Sequence, residues 1–332
     1  MVSRQPVHAW PRTSYRSDTM ILSRTALAAT FVMLAGCAAQ TTAVAPQSSI
    51  APPPPVAAAP VPPARLGLDD AAPDPMRWTY ASGEAAGASI QAWRAMADYA
   101  IATAAKKPAM SVPMGLPDVP GGVATTSCQG KKPAVVLDVD ETVILNRGYE
   151  YWLARGNANS GAVFDSWADS GASAVAPVPG AITGIKRLRA AGIAVIYNTN
   201  RDAKSAAGTI RALEAAGVGS AVHKQDLFLL GDDALKGNKD GRRKTISDRF
   251  CVVALGGDNL GDFATTLNDP AQSVQQRRER SARGDLAALW GNGWFMIPNA
   301  AYGAWQKGTI ADVFPPDARW EPQAPVITNE DK

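Results

Sequence analysis

Apolar and aromatic residues recur at three- and four-residue intervals across residues 78–105, WTYASGEAAGASIQAWRAMADYAIATAA. That spacing keeps one face of a helix apolar and predicts a long amphipathic helix capped near Ser82. Beyond Cys128 the rhythm changes to short apolar runs: AVVL at 134–137, AVIY at 194–197, LFLL at 227–230, CVVAL at 251–255 and WFMI at 294–297. Unbroken runs of this kind belong to strands buried on both faces. With helical stretches between them, they predict an α/β fold on a parallel sheet flanked by helices. Residues 179–192, PGAITGIKRLRAAG, start on Pro and stop at Gly, as a helix joining two such strands would. The pattern holds no repeat and no second linker, so one domain over residues 73–322 with a flexible tail at 323–332 is the simplest partition.

Composition changes this picture at the N-terminus. Residues 38–72 are mostly Ala, Pro, Thr, Ser and Gln, with PPPP at 52–55, and predict an extended tether without packed structure. Ahead of it, residues 20–37, MILSRTALAATFVMLAGC, carry one Arg, an apolar run and then small residues before Cys37, the layout of an export signal. The closing Leu-Ala-Gly-Cys resembles the bacterial lipobox. Residues 1–37 are thus expected to be a signal peptide, with Cys37 as the lipidation site and translation starting at Met20. A core helix is disfavoured because a Pro-rich tract follows at once, and a spanning helix because about twenty apolar residues are needed. The expected location is the bacterial cell envelope, as an outer-membrane lipoprotein or in the periplasm, with membrane contact through the lipid.

The formal charge of +3 is already present before Cys37, where Arg4, Arg12, Arg16 and Arg24 stand against Asp18, so the remainder sums to zero. A neutral mature chain lacks the positive field that polyanion binding uses, which argues against a nucleic acid polymer as partner. Small anions need only one lysine or a metal. With Cys37 used for lipid, Cys128 and Cys251 are left as a pair that an oxidising compartment would allow to bridge.

The chemistry gathers where strands end. The first run closes on Asp138-Val139-Asp140-Glu141-Thr142, placing two carboxylates just past a central strand, where open α/β sheets bind ligands. A phosphatase without a reactive Ser, Cys or His needs a carboxylate nucleophile, a proton donor and a cation. Asp138 and Asp140 can be the first two. The second run leads to Asn198-Thr199-Asn200-Arg201, which offers a hydroxyl for a phosphoryl oxygen, with Asn200 as a further substrate contact. The fourth leads to Gly256-Gly257-Asp258-Asn259-Leu260-Gly261-Asp262, whose two carboxylates suit a hard divalent cation such as magnesium. Taken singly each signal is weak, since Asp-x-Asp also occurs in calcium loops and as surface charge.

In order, these signals resemble the haloacid dehalogenase (HAD) superfamily. VLDVDETVILNRGY at 136–149 and VALGGDNLGDF at 253–263 are similar to the paired signatures of class C bacterial acid phosphatases, which are lipoprotein 5'-nucleotidases. The likeness extends to residues 78–93 and to GNGWFMIPNAAYGAW at 291–305, with Ile144 where Leu is usual. It implies a HAD-like Rossmannoid sheet with a small, mainly helical cap-like insertion and an N-terminal helix. It implies Asp138 as nucleophile, Asp140 as acid and base, and Thr199 and Lys239 on the phosphoryl group. Lys239 is chosen over Lys236 and Lys244 because residues 238–243 look like the Ser-Lys-x-x-Arg-Arg stretch of that branch. Magnesium would be held by Asp138, the Asp140 carbonyl and Asp258, with Asp262 near the metal or orienting Lys239. The substrate would be a small phosphomonoester, with Tyr149, Trp167 and Tyr302 as an aromatic slot for a nucleobase. The family fold also places Cys128 and Cys251 on neighbouring strands. Asp140 must be protonated to act as acid, and its reference pKa of about 3.9 implies an acidic optimum.

Other residues carry less. His223 has no partner at a useful spacing, Trp290 and Trp294 read as core, and Arg277 to Arg283 as a solvated helix face. The rival functions are a non-catalytic small-molecule-binding lipoprotein on the same scaffold and a phosphotransferase. Retention of Asp138, Asp140, Thr199 and Asp258 together argues against the first.

Overall fold

The computed structural model describes residues 65–115, 125–233 and 239–321. The export segment, Cys37, most of the tether and the tail lie outside them. Helix α1 (Asp74–Ala81) precedes α2 (Gly83–Ala105), so the helix expected over 78–105 is broken at Ser82. The reason is local: extended Ser82 ends α1, its hydroxyl donates to the Trp78 carbonyl at 2.7 Å, and the same oxygen caps α2 by accepting from the Ala85 amide at 3.0 Å.

Strand β1 (Lys132–Leu137) is followed by an insertion made of β2 (Ile144–Leu145), α3 (Arg147–Ala154), α4 (Gly161–Ser170) and β3 (Ala176–Pro177). Its two short strands pair antiparallel. The chain then alternates through α5 (Ala181–Ala190), β4 (Ala194–Asp202), α6 (Ala206–Ala215), β5 (Leu227–Leu230), α7 (Lys239–Arg249) and β6 (Phe250–Gly257). It continues through α8 (Val274–Ala282), α9 (Gly284–Ala287), β7 (Trp294–Met296) and α10 (Ile310–Val313). The five long-run strands form one parallel sheet in the order β5-β4-β1-β6-β7, which puts β1 and Asp138 at its centre.

Alternation along the strands builds two cores. Val135, Leu137, Val195 and Tyr197 join Trp93 and Met96 of α2, Leu188 of α5 and Leu213 of α6. Ala134, Val136 and Ile196 join Ile246 of α7 and Phe263. Both faces are covered, which is why the strands read as unbroken apolar runs. Trp290 and Trp294 belong to the second core, each packed on the Phe263 ring.

The sulfurs of Cys128 and Cys251 are bonded, with Cα atoms 4.6 Å apart and 123 residues between them in sequence. The bridge ties the segment before β1 to the start of β6. Closing so long a loop restricts the unfolded chain, and loss of the bridge is expected to cost about 2–4 kcal/mol. Denaturant unfolding of the Cys128→Ala/Cys251→Ala protein against the oxidised parent checks this, and an unchanged midpoint would refute it.

Three expectations are corrected. Arg277 is buried, not solvated: its guanidinium donates to the Leu267 carbonyl at 2.9 Å and to Asn268 Oδ1 at 2.5 Å, pinning the loop after β6. His223 has a partner, with Nε2 2.8 Å from the buried Asp232 carboxylate. Arg65 and Leu66, within the stretch read as tether, touch the insertion, since Arg65 donates to Asn157 Oδ1 at 3.3 Å and Arg155 donates to the Leu66 carbonyl.

Candidate active site

Strand ends bring the charged residues together. Asp138 follows β1 directly, its amide bonded to the Gly256 carbonyl at 3.0 Å, and Asp258 follows β6 on the neighbouring strand. Carboxylate oxygens of Asp138, Asp258 and Asp262 all lie within 4.8 Å of one another. Gly257 makes this approach feasible, because a Cβ there would sit 2.4 Å from the Asp262 side chain. Lys239, at the start of α7, bridges two of the three, with Nζ 2.5 Å from Asp138 and 2.7 Å from Asp262. Thr142 and Asn299 donate to the two oxygens of Asp258 at 3.0 and 2.9 Å.

Three carboxylates around one ammonium leave negative charge uncompensated. Burial pushes Asp138 well above the usual carboxylate range, Lys239 pulling it back and Asp262 and Asp258 pushing further. Burial, and then the charge of Asp262, push Asp258 up to about 8. Burial opposes the charge on Lys239, but Asp138 and Asp262 outweigh it and hold the ammonium above its ordinary value. Hard oxygen donors, crowded and short of positive charge, are the donor set that a divalent cation of the magnesium type fits.

Asp140 sits in a different environment. Arg201 grips its carboxylate through Nε at 2.9 Å and Nη2 at 2.8 Å, and Asn146 Nδ2 donates to it at 2.8 Å. Burial would raise this carboxyl, but the Arg201 charge and these hydrogen bonds prevail and hold it below its usual range. The proton-bearing form that an acid requires is therefore not the resting form. Asn146 is held in turn by Trp167 Nε1 at 2.9 Å and by Glu141, which accepts from the Asn146 amide at 2.7 Å. Glu141 also accepts from the Tyr80 and Tyr302 hydroxyls at 3.0 and 2.8 Å. Its backbone is left-handed, with φ of 52°, a strained state, while these three donors fix its carboxylate.

A cavity of about 580 Å³ opens over these residues. Tyr149, Tyr302 and Asn200 line it, and Phe164 contributes a third ring, edge-on to Tyr149 with centroids 5.2 Å apart. Trp167 does not line it. Its ring lies under Gly148 and Gly171, where an added Cβ would come within 2.6 and 2.1 Å, so it supports Asn146 from behind. Thr199 is fully buried behind Asp140, its hydroxyl 3.4 Å from that carboxylate and accepting from the Arg201 amide at 3.2 Å.

Arg201, Asn146, Glu141 and Phe164 are site residues that motif reading passed over. Only Arg201 left a usable signal. It lies two residues after Thr199, and β4 runs on to Asp202 instead of ending near Tyr197, so period-2 geometry puts both side chains on one face.

A parallel α/β sheet with an acidic cluster and a lysine at its carboxyl edge, under a helical insertion, defines a phosphotransfer-type hydrolase of the HAD class. The chain belongs to the HAD superfamily, subfamily IIIB (acid phosphatase), whose model matches residues 94–305. Among solved structures it is similar to the class C acid phosphatase from Bacillus anthracis, at 28% identity and a TM-score of 0.56, over 70% of this chain and 85% of that one. The same enzyme with tungstate bound matches at 26% identity and a TM-score of 0.55, over 72% and 91% of the two chains.

Proposed function

We propose that this protein is an envelope lipoprotein that hydrolyses small phosphomonoesters, nucleoside 5'-monophosphates foremost, through an aspartyl-phosphate on Asp138 with magnesium as cofactor. The observation that carries this reading is the meeting of Asp138, Lys239 and the Asp258 and Asp262 carboxylates in one cavity at the sheet's carboxyl edge. Asp138, the Asp140 carbonyl, Asp258 and Asp262 would hold the cation, which would offset the charge of the phosphoryl group. The tungstate bound by the Bacillus anthracis relative is a tetrahedral oxyanion, as phosphate is. The anchor rests on residues 20–38 alone.

In the proposed reaction a carboxylate oxygen of Asp138 attacks phosphorus, the bond to the ester oxygen breaks, and that oxygen takes a proton. Water then attacks phosphorus and gives a proton to Asp140 while Asp138 is released. Lys239 neutralises phosphoryl oxygens throughout. Arg201 keeps Asp140 ionised at rest, so the first proton enters with the substrate, and Asp140 relays it. A phosphomonoester is a monoanion below its second pKa of about 6, which assigns the acidic optimum to the substrate.

The nucleotide preference rests on the rings of Tyr149, Phe164 and Tyr302 in the cavity wall. Stacking on such a ring contributes about 1–3 kcal/mol per contact. Tyr302→Ala is therefore expected to lower kcat/KM for a nucleoside 5'-monophosphate about tenfold or more beyond the loss on a small aliphatic phosphate, the loss common to both coming from the hydroxyl that Glu141 accepts from. Tyr302→Phe keeps the ring and should keep the preference. Equal losses on both substrates would reduce the reading to a general acid phosphatase.

A further inference from the structure

The alcohol half of the cavity holds one charged side chain that the proposed reaction does not use. Asp138, Asp140, Lys239, Asp258 and Asp262 belong to the phosphoryl end, and the carboxylate of Glu141 is taken by Asn146, Tyr80 and Tyr302. Glu150 is different. It lies on α3 next to Tyr149, lines the cavity and is only 5% exposed, yet none of the described residues donates a hydrogen bond to its carboxyl. Lys239 is the sole lysine or arginine in the described lining, and it is committed to Asp138 and Asp262.

An ionised carboxyl can only accept hydrogen bonds, and one that faces the cavity with no donor from the protein can take one from the ligand. The rings of Tyr149, Phe164 and Tyr302 in the same wall attract positive charge through their faces. Acceptor and rings together suit an amino or ammonium group, while a second anion would meet like charge with no cation to offset it.

We propose that Glu150 is a specificity-determining residue that accepts a hydrogen bond from an amino or ammonium group on the alcohol half of the substrate and turns away alcohols that carry a second anion. This rests on the phosphatase reading above and narrows its substrate class. Burial alone pushes the Glu150 carboxyl up to about 7, a penalty that an incoming ammonium offsets and an anion worsens.

The test uses the mature protein with magnesium across pH 5.5 to 8, from the monoanion range that the proposed reaction favours to the range where this carboxyl is ionised, and three aryl phosphates that share a ring. These are phenyl phosphate, tyramine O-phosphate with its ammonium, and 3-(4-phosphonooxyphenyl)propionate with its carboxylate. The readout is the ratio of kcat/KM for the ammonium substrate over the carboxylate one, in which any loss common to both cancels. The wild type should favour the ammonium substrate, and Glu150→Gln should lower the ratio about tenfold or more, the range of a hydrogen bond to a charged group. Glu150→Ala carries the same readout if the Gln variant misfolds. A wild type without preference, or a ratio unmoved by the substitution whatever the overall loss, overturns the proposal. A wild type that turns over none of the three at any pH in this range, phenyl phosphate included, sinks the phosphatase reading and takes this inference with it.

Discussion

Asp138→Asn is expected to abolish turnover and leave the fold standing. A carboxamide offers no anionic oxygen to attack phosphorus, so kcat should fall more than about a hundredfold, a barrier increase above about 2.7 kcal/mol. Stability should hold or rise, since burial and the neighbouring carboxylates already disfavour the Asp138 charge and the amide oxygen can still accept from Lys239. Phosphate release and thermal melting on the same preparation decide the matter. A variant that keeps more than about a hundredth of the parental kcat would mean that Asp138 is not the nucleophile.

Arg201→Met is expected to damage both stability and rate. The Arg201 side chain is 1% exposed and its partner Asp140 13%, so the substitution leaves a buried carboxylate without its cation. Removing one member of a buried pair costs about 3–5 kcal/mol, which a large fall in melting temperature would register. Asp140 and Asn146 would also lose the guanidinium that aims them. Arg201→Lys separates the two effects, because it restores charge without the two-point grip. It should recover much of the stability and little of the rate. A Met variant with parental melting and kcat would show that the pair matters to neither.

The legible and illegible parts of the sequence differ for physical reasons. The five sheet strands can be read because a parallel sheet covered on both faces demands continuous apolar runs, and the carboxylates can be read because they follow those runs directly. What comes from tertiary approach leaves little trace in spacing. Phe164 and Glu150 reach the cavity only because the insertion after β1 folds over the sheet edge. Trp167 resembles a ligand contact in sequence, but two nearby glycines let its ring slide under the loop. Arg277 stands in a basic run whose other arginines are less buried, and nothing local marks it as the one that turns inward. Arg201 follows the apolar run that ends at Tyr197, and nothing in that run shows that β4 continues to Asp202 and buries the guanidinium against Asp140.

The most direct measurement is phosphate release from phenyl phosphate by mature protein stripped with a chelator, before and after magnesium is restored. Crowded carboxylates around Lys239 require a cation to admit a phosphoryl anion, so the stripped protein should be inactive and magnesium should restore its rate. Full activity in excess chelator, or none after magnesium is returned to a folded protein, would contradict metal-dependent phosphomonoester hydrolysis at this site.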